Sequence, residues 1–237
     1  MANAPETILI TGANRGIGLA LARHAAQRGH RVIATARNPG KAAELKAVKG
    51  PAGAVRVEPL DAASDASCKA LAGSLAGVPI DILINNAGIS PENSKQLGSF
   101  DPEAYAECLR TNSIGPLLVT RVLLPNVEAS GRKLIAQISS QMGSLQLVAE
   151  GGNRGNLAYH SSKAALNMAN LLVANELKAR GVLCVSIHPG WVQTDMGGPN
   201  AHLTPDTSAS AILDTLGSVG MDAAGRLLRF DGTPMPW

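Results

Sequence analysis

The 237-residue chain is long enough for one well-buried α/β domain and short for two, and its 45% apolar and 16% charged residues suit a compact enzyme rather than a disordered chain. The net charge of +3, without clustered lysines and arginines, argues against a nucleic-acid partner. Cys68, Cys108 and Cys184 are an odd number and widely spaced, which excludes a disulfide framework or a cysteine zinc site and indicates a reducing compartment.

The sequence has no recognisable secretion, membrane or metal signal. The N-terminal MANAPETILITG lacks the charged start and long apolar core of a signal peptide, and no stretch approaches the roughly 20 apolar residues that span a bilayer. His160 and His188 have no second histidine or acid at a metal-binding spacing. We therefore expect a cytoplasmic protein with no bound metal and neither a membrane nor a nucleic acid as partner.

Short β-branched runs alternate with longer helical patterns along the chain. The predicted strands are TILIT (7–11), RVIATA (31–36), AVRVEPL (54–60), IDILINN (80–86), KLIAQIS (133–139), VLCVSIHP (182–189) and RLLRF (226–230). The predicted helices are 17–28, 39–48, 64–75, 102–130, 158–180 and a last one that starts near Ser208. Strands that are apolar on both faces and alternate with helices predict a parallel sheet covered on both sides. We predict one domain over residues 1–237, an α/β Rossmann fold whose doubly wound sheet has seven parallel strands and helices on both faces.

The first predicted strand runs directly into a glycine cluster, TGANRGIG (11–18), which opens the first helix. Glycines let the backbone turn sharply and approach a pyrophosphate at the helix N-terminus, where free N–H groups and the helix dipole favour anions. Glycines also serve as plain turn residues, but the place between first strand and first helix favours a dinucleotide site. The predicted cofactor contacts here are Gly12, Asn14, Arg15, Gly16, Ile17 and Gly18.

The end of the second predicted strand indicates which dinucleotide binds. NAD-preferring sites place an Asp or Glu here to accept from the ribose 2′-OH. This strand ends in ATARNP (34–39), which has no acid but has Arg37, and Arg15 of the glycine cluster supplies a second cation. Two guanidiniums at one ribose favour a 2′-phosphate through charge-assisted hydrogen bonds. We therefore predict NADP(H) as the cofactor.

The next two predicted strands also end in residues suited to the cofactor. The Asp61 carboxylate could accept from an adenine amino group or cap the following helix, and the sequence leaves both roles open. NNAG (85–88) ends a buried strand, where polar side chains need partners, and its glycine lets the chain pass close to a ribose. The predicted cofactor contacts from these two strand ends are Leu60, Asp61, Asn86, Ala87 and Gly88.

Tyr159 and Lys163 stand four positions apart at the start of the long predicted helix 158–180. Residues i and i+4 share a helix face, separated by roughly 6 Å along the axis. A free tyrosine titrates near ~10, and an adjacent ammonium that stabilises the phenolate would lower this pKa by ~2–3 units. The pair is either a proton-transfer pair for an oxygen that gains negative charge, or a partly buried tyrosine beside a surface lysine.

These segments resemble the short-chain dehydrogenase/reductase family. The matching motifs, in the family's order and over nearly the whole chain, are TGANRGIG (11–18), Asp61, NNAG (85–88), Asn112 in RTNSIGP, ISS (138–140), YHSSK (159–163) and PGWVQTD (189–195). The segments SSQMGS, SSKAALNM, HPGWVQTDMGG and DGTPMPW are similar to the branch that contains C-factor and the sniffer-type carbonyl reductases.

The resemblance implies a catalytic role for four residues. Tyr159 would be the acid–base and Lys163 its partner, and both would also contact the cofactor. Ser140 would orient the substrate carbonyl; Ser139 competes for this role, but consecutive strand residues face opposite ways, so only one should point into the site. Asn112 would support a water-linked proton path. The residues implied along the nicotinamide half of the cofactor are Pro189, Gly190, Val192 and Thr194.

The implied activity is the reversible, NADPH-dependent reduction of a ketone or aldehyde to an alcohol, with Tyr159 as proton donor. The alternative is an NADP-binding signalling or sensor protein of the C-factor type, in which catalysis is secondary. The helix 158–180 is apolar or small nearly all round, so its second face is either buried within the monomer or forms a subunit contact. The resemblance implies the subunit contact, and with it a homodimer or homotetramer. The glycine-rich segment 148–156 predicts a mobile loop beside the site, and the short segment after Thr194 predicts an open, shallow one.

Overall fold

The computed structural model of the protein describes residues 5–152 and 155–237. The strands are β1 (Thr7–Ile10), β2 (Arg31–Ala36), β3 (Lys49–Gly50), β4 (Gly53–Ala54), β5 (Arg56–Pro59), β6 (Ile82–Asn85), β7 (Leu134–Ile138), β8 (Leu183–His188), β9 (Leu227–Arg229) and β10 (Pro234–Met235). The α-helices are α1 (Gly16–Gln27), α2 (Ala43–Ala47), α3 (Asp65–Ser74), α4 (Pro102–Leu109), α5 (Gly115–Glu128), α6 (Leu145–Ala149), α7 (Leu157–Leu177) and α8 (Pro205–Ser218).

One sheet of eight strands organises the molecule, in the order β10-β9-β8-β7-β6-β1-β2-β5. Its strands pair in parallel except β10, which runs antiparallel to β9. From β1 the chain builds outward through β2 to β5, then returns to β6 on the other side of β1. The carboxyl ends of β1 and β6 therefore flank the point where the winding reverses, which is where open α/β sheets bind their ligands.

Successive residues of each central strand enter opposite core layers. In β1, Ile8 and Ile10 pack in the layer that α1 and α8 cover, whereas Leu9 packs in the layer of α3, α5 and α7. A fully buried aliphatic side chain contributes about 1.5–3 kcal/mol relative to an exposed one. Because both faces are buried, these strands read as continuous apolar runs. The α/β Rossmann fold with helices on both faces is thereby confirmed.

The predicted strand count of seven is wrong by one. All seven predicted strands are present and pair in parallel with one another, and the eighth is the two-residue β10, antiparallel to β9. A strand of two residues has no measurable alternation, so periodicity could not predict it. The same reason explains the unpredicted β3–β4 hairpin, which stands outside the main sheet.

The predicted helix 102–130 is interrupted. It begins at the N-cap Asp101, whose side chain accepts from the backbone N–H groups of Glu103 and Ala104, and α4 and α5 are separated by a π-helical turn over Arg110–Ile114. The predicted helix 39–48 is a 3₁₀ turn followed by the short α2, and α8 begins at Pro205, earlier than expected. No helix within residues 5–152 and 155–237 is long and apolar enough to cross a membrane.

Candidate active site

The turn after β1 has the backbone geometry of an anion-binding loop. Gly12 and Gly16 have φ of 63° and 53°, a left-handed conformation that side chains disfavour. α1 then begins at Gly16 with neither a side-chain cap nor an acidic residue in its first turn. Its first N–H groups and the positive end of its dipole are thus left to a ligand, and an anion suits them best.

Gly18 is packed so closely that any side chain would collide with the turn. A Cβ there would lie 2.4 Å from the Gly12 carbonyl oxygen and 2.5 Å from Asn86 Nδ2. We expect Gly18→Ala to shift the turn, to destabilise the fold by about 1–3 kcal/mol and to weaken dinucleotide binding at least tenfold. Gly217→Ala is the matched control, because a Cβ at that helical glycine meets nothing within 4 Å. Thermal unfolding and cofactor titration measure both effects; wild-type binding by Gly18→Ala would contradict the prediction.

Hydrogen bonds tie this glycine turn to the end of β6. Asn86 Nδ2 donates to the carbonyl oxygens of Thr11 and Gly12 at 2.9 and 3.1 Å. Thr11 Oγ1 in return accepts from the backbone N–H groups of Asn86 and Ala87 at 2.9 and 3.0 Å. The preceding Asn85 faces the other way and donates to Thr120 Oγ1. The side-chain N–H groups of both asparagines therefore have partners, whereas the buried Asn85 Oδ1 has none among the described residues. Thr11 is a residue that sequence reasoning missed.

The predicted phosphate-binding arginines lie at the two expected strand ends. Arg37 is exposed after β2 and has no ion pair among the described residues. Arg15 is exposed in the glycine turn, and its Nη1 donates to Asp195 Oδ2 at 2.6 Å. This ion pair could not be predicted, since 180 positions separate the two residues in the sequence.

Asp61 does not cap the helix that follows it. Ser64 does so, because its Oγ accepts from the Ser67 backbone N–H at 3.3 Å. The Asp61 carboxylate instead accepts from the Ala63 N–H at 3.1 Å and stays exposed beyond β5. Of the two roles left open, capping is excluded, and the carboxylate is accessible to a ligand. The buried Leu60 fixes this segment to the sheet through its N–H, which donates to the Ala36 carbonyl oxygen.

Tyr159 and Lys163 share one face of α7, with Lys163 Nζ 5.5 Å from the centre of the tyrosine ring. Lys163 is buried, and its Nζ donates to the Ile138 carbonyl oxygen at 2.7 Å. Burial lowers the pKa of Lys163 to about 8. Burial also raises the pKa of Tyr159, and the neighbouring Cys108 adds to this, against a hydrogen bond with Ser140 that lowers it.

The expected lowering of the Tyr159 pKa by Lys163 is therefore wrong for the protein's own groups. Desolvation of the phenolate exceeds what the protein offers to stabilise it. The practical consequence is that Tyr159 stays protonated throughout the neutral range. A protonated phenol is the form that can donate to a substrate oxygen.

The two serines at the end of β7 point in different directions. Ser139 Oγ donates to Asn167 Oδ1 at 2.6 Å in the core, whereas Ser140 lies near enough to the Tyr159 hydroxyl to oppose the rise of its pKa. Ser140 Oγ also accepts from the Met142 N–H at 3.1 Å and so caps the next turn. Of the two serines, Ser140 is thus the one placed beside the phenol.

Asn167 and Gly143 hold this turn against α7, and neither was singled out from the sequence. Asn167 Nδ2 donates to the Gly143 carbonyl oxygen at 3.2 Å. A Cβ on Gly143 would lie 2.7 Å from the Lys163 carbonyl carbon, so only glycine fits between the turn and the helix. The available signal was the position of Asn167, one helical turn after Lys163 on the same face.

Asn112 lies in the π-turn with its carboxamide fully engaged. Its Oδ1 accepts from the Ile89 N–H, and its Nδ2 donates to the Ile89 carbonyl oxygen, both at 2.8 Å. Nδ2 also lies 3.0 Å from Ser162 Oγ and 3.3 Å from Cys108 Sγ. The side chain therefore fastens the segment after β6 to α4 and α7. The water-linked path expected of Asn112 stays a prediction.

The segment after β8 forms a compact lobe next to the glycine turn. Gly190 has φ of 84°, and Val192 pairs with Leu203, so the lobe closes on itself. Thr194 Oγ1 accepts from the Gly197 N–H at 3.1 Å. A Cβ on Gly16 would lie 3.2 Å from Thr194 Cγ2, which places Thr194 directly against the glycine turn. Pro189 is held by Ser208, whose Oγ donates to its carbonyl oxygen at 2.7 Å.

A cleft of about 390 Å³ is lined by the turn after β7, by α6 and by the start of α7, although neither Ser140 nor Tyr159 is among its lining residues. Its lining residues include Gln141 and Met142, which follow Ser140, and His160, which follows Tyr159. The segment predicted as a mobile loop (148–156) contributes Val148, which lies in the last turn of α6, and residues 150–152 to this cleft. Residues 153–154 of that segment lie outside the described residues.

Three known proteins are similar to this chain in sequence or in structure. C-signal of Myxococcus xanthus is 39% identical over 169 residues, which are 71% of this chain and 99% of that protein. The carbonyl reductase Sniffer of D. melanogaster superposes with a TM-score of 0.89 at 31% identity, over 99% of this chain and 100% of that one. The NADPH-bound carbonyl reductase from chicken fatty liver gives a TM-score of 0.86 at 32% identity, with the same coverage.

The predicted resemblance, including its C-factor and sniffer-type branch, is confirmed by these similarities. Residues 6–203, most of the chain, match the short chain dehydrogenase family. This chain is therefore an oxidoreductase-type protein that belongs to the short chain dehydrogenase family.

Proposed function

We propose that the protein reduces a ketone or aldehyde to an alcohol with NADPH, reversibly. The observation that carries this proposal is the segment Asn86–Gly88, which contacts both halves of the site. A Cβ on Gly12 would lie 2.8 Å from Ala87 Cα, and a Cβ on Gly88 would lie 3.8 Å from Lys163 Nζ. The glycine turn would hold the phosphates of a dinucleotide, and this segment connects that turn to Tyr159 and Lys163, which would serve the cofactor's reactive end.

NADP(H) fits the residues that surround this path. The uncapped start of α1 suits the pyrophosphate, and the absence of an acid after β2 leaves Arg37 to meet a 2′-phosphate. Similar solved structures support the choice, since the chicken carbonyl reductase is NADPH-bound and one from Pseudomonas aeruginosa PAO1 is described in complex with NADP. When bound, the cofactor supplies a hydride to the carbonyl carbon.

The chain's own groups manage the substrate oxygen. Ser140 and the Tyr159 hydroxyl hydrogen-bond the carbonyl, which polarises it toward attack. The Tyr159 Oη–H proton then passes to the oxygen, and the phenolate left behind is stabilised by the Lys163 ammonium. With a pKa near 8, Lys163 is mostly charged at neutral pH yet acidic enough to return a proton to Tyr159. Asn112 keeps α4 and α7 in the alignment that this exchange needs.

A cofactor-oxidation screen tests the proposed reaction. NADPH consumption is followed with aldehydes, aryl ketones, diketones and quinones, and each active substrate is repeated with NADH. We expect turnover with at least one class and a kcat/KM for NADPH at least tenfold above that for NADH, because Arg15 and Arg37 recognise the 2′-phosphate. Equal or better use of NADH would refute the cofactor assignment.

A signalling or sensor protein that binds NADP is the second candidate, and the similarity to C-signal is the observation that favours it. Such a protein needs the glycine turn but not the full set of Ser140, Tyr159 and Lys163. NADPH binding without turnover of any carbonyl would therefore support this candidate.

The expected homodimer or homotetramer also stays a proposal. It is supported by Met168 and Leu172, which are 59% and 60% exposed on α7, and light scattering after size exclusion tests it.

A further inference from the structure

The Arg15–Asp195 ion pair bridges the two walls of the cofactor cleft. Arg15 belongs to the glycine turn, and Asp195 follows Thr194 at the tip of the lobe after β8. Within the described residues, the Nη1 bond at 2.6 Å is the one hydrogen bond that the Arg15 side chain makes. The two side chains are 67% and 78% exposed, so solvent can replace the pair at small cost.

We propose that Asp195 is a specificity-determining residue, which competes with the cofactor's 2′-phosphate for Arg15. This inference rests on the proposed NADP(H) dependence. A guanidinium already neutralised by a carboxylate offers less to a phosphate than a free one, and the carboxylate also repels the incoming dianion. Binding of a 2′-phosphate therefore requires Arg15 to leave Asp195, whereas a cofactor without this phosphate leaves the pair intact.

The two arginines consequently have unequal roles. Arg37 has no ion pair among the described residues and is available to a phosphate at once. Arg15 becomes available only after its bond to Asp195 breaks. Because exposed pairs of this kind are weak, Asp195 adjusts the affinity for the phosphorylated cofactor without preventing its binding, by about two- to fivefold.

Equilibrium binding of two adenosine nucleotides tests the competition without any hydride chemistry. The probes are adenosine 2′,5′-bisphosphate, which carries the 2′-phosphate, and adenosine 5′-monophosphate, which lacks it, titrated by calorimetry at low salt. We expect Asp195→Asn to bind the bisphosphate about two- to fivefold more tightly and the monophosphate unchanged. We expect Arg15→Gln to weaken bisphosphate binding and to remove the effect of Asp195→Asn in the double variant.

Asp214→Asn is the matched control. It makes the same charge change in another exposed arginine pair, Arg28–Asp214 at 2.8 Å, at the far end of α1, and we expect it to leave both affinities unchanged. Unchanged or weaker bisphosphate binding by Asp195→Asn would overturn the inference alone if the wild type still prefers the bisphosphate. Equal wild-type affinity for the two probes would overturn the NADP(H) assignment and this inference with it.

Discussion

Tyr159→Phe is expected to lower kcat for carbonyl reduction by about 10²–10⁴-fold while the Kd for NADPH stays within about twofold of wild type. The substitution removes one hydroxyl group and keeps the ring against which Lys163 lies. Without the hydroxyl, the oxygen that gains charge loses its proton donor, whereas the cofactor contacts on the glycine turn are untouched. Single-turnover kinetics with a substrate from the screen separate the chemical step from binding.

The chain offers a matched control, because it has two tyrosines. Tyr105 on α4 packs edge-on against Phe100, with ring centres 5.5 Å apart, and Tyr105→Phe deletes the same atom there. We expect wild-type kcat from this variant. If both variants fold and bind NADPH normally, undiminished turnover in Tyr159→Phe would refute the catalytic assignment.

Lys163→Met is expected to stabilise the fold while it abolishes most activity. The folded-state pKa of Lys163 is about 8 against 10.5 in the unfolded chain, so keeping the ammonium buried opposes folding at neutral pH. Each pKa unit is worth about 1.4 kcal/mol, and the lost bond to the Ile138 carbonyl offsets part of the gain, so we expect a net gain of about 1–3 kcal/mol at pH 7.

The pH dependence of the stability distinguishes the removal of a buried charge from better packing of the methionine side chain. Below pH 8 Lys163 is charged in both states and the cost is fully present. Between pH 8 and 10.5 the unfolded chain binds more protons than the folded one, so wild-type stability rises with pH and the advantage of Lys163→Met shrinks. Chemical denaturation at pH 7 and pH 10 measures this, with the exposed Lys46→Met as control. A destabilised Lys163→Met at pH 7 would contradict the prediction.

The fold was predictable where the physical signal extends over several residues. β2 has the same bounds, Arg31–Ala36, as the predicted strand, and Gly12, Gly16 and Gly18 indicated the turn that follows β1. The two-residue strands were not predictable, because their pairing depends on where distant segments pack. Arg110–Ile114 has four polar residues and one apolar residue, so apolar spacing could not indicate a π-turn there.

The site was predictable in its residue types but not in its energetics. The i,i+4 spacing placed Tyr159 and Lys163 on one face, yet the pKa of Tyr159 depends on burial, which spacing does not report. Strand alternation predicted that only one of Ser139 and Ser140 enters the site, and the family resemblance implied Ser140, which agrees with the bond between Ser139 and Asn167. The partner of Arg15 could not be inferred, because Asp195 comes near it only when the segment after β8 folds into its lobe.

The π-turn at Arg110–Ile114 makes this stretch tolerant of a change in length that the active site does not tolerate. A π-turn is equivalent to one residue inserted into an α-helix, so a single deletion there could be absorbed as an unbroken helix joining α4 to α5. Such a deletion would keep the side chains of α4 and α5 on nearly their present faces and would change the directions of those inside the turn. Asn112 would then leave Ile89 and Ser162. A relative without this extra residue would therefore keep the fold but lose the contacts that Asn112 makes beside the site.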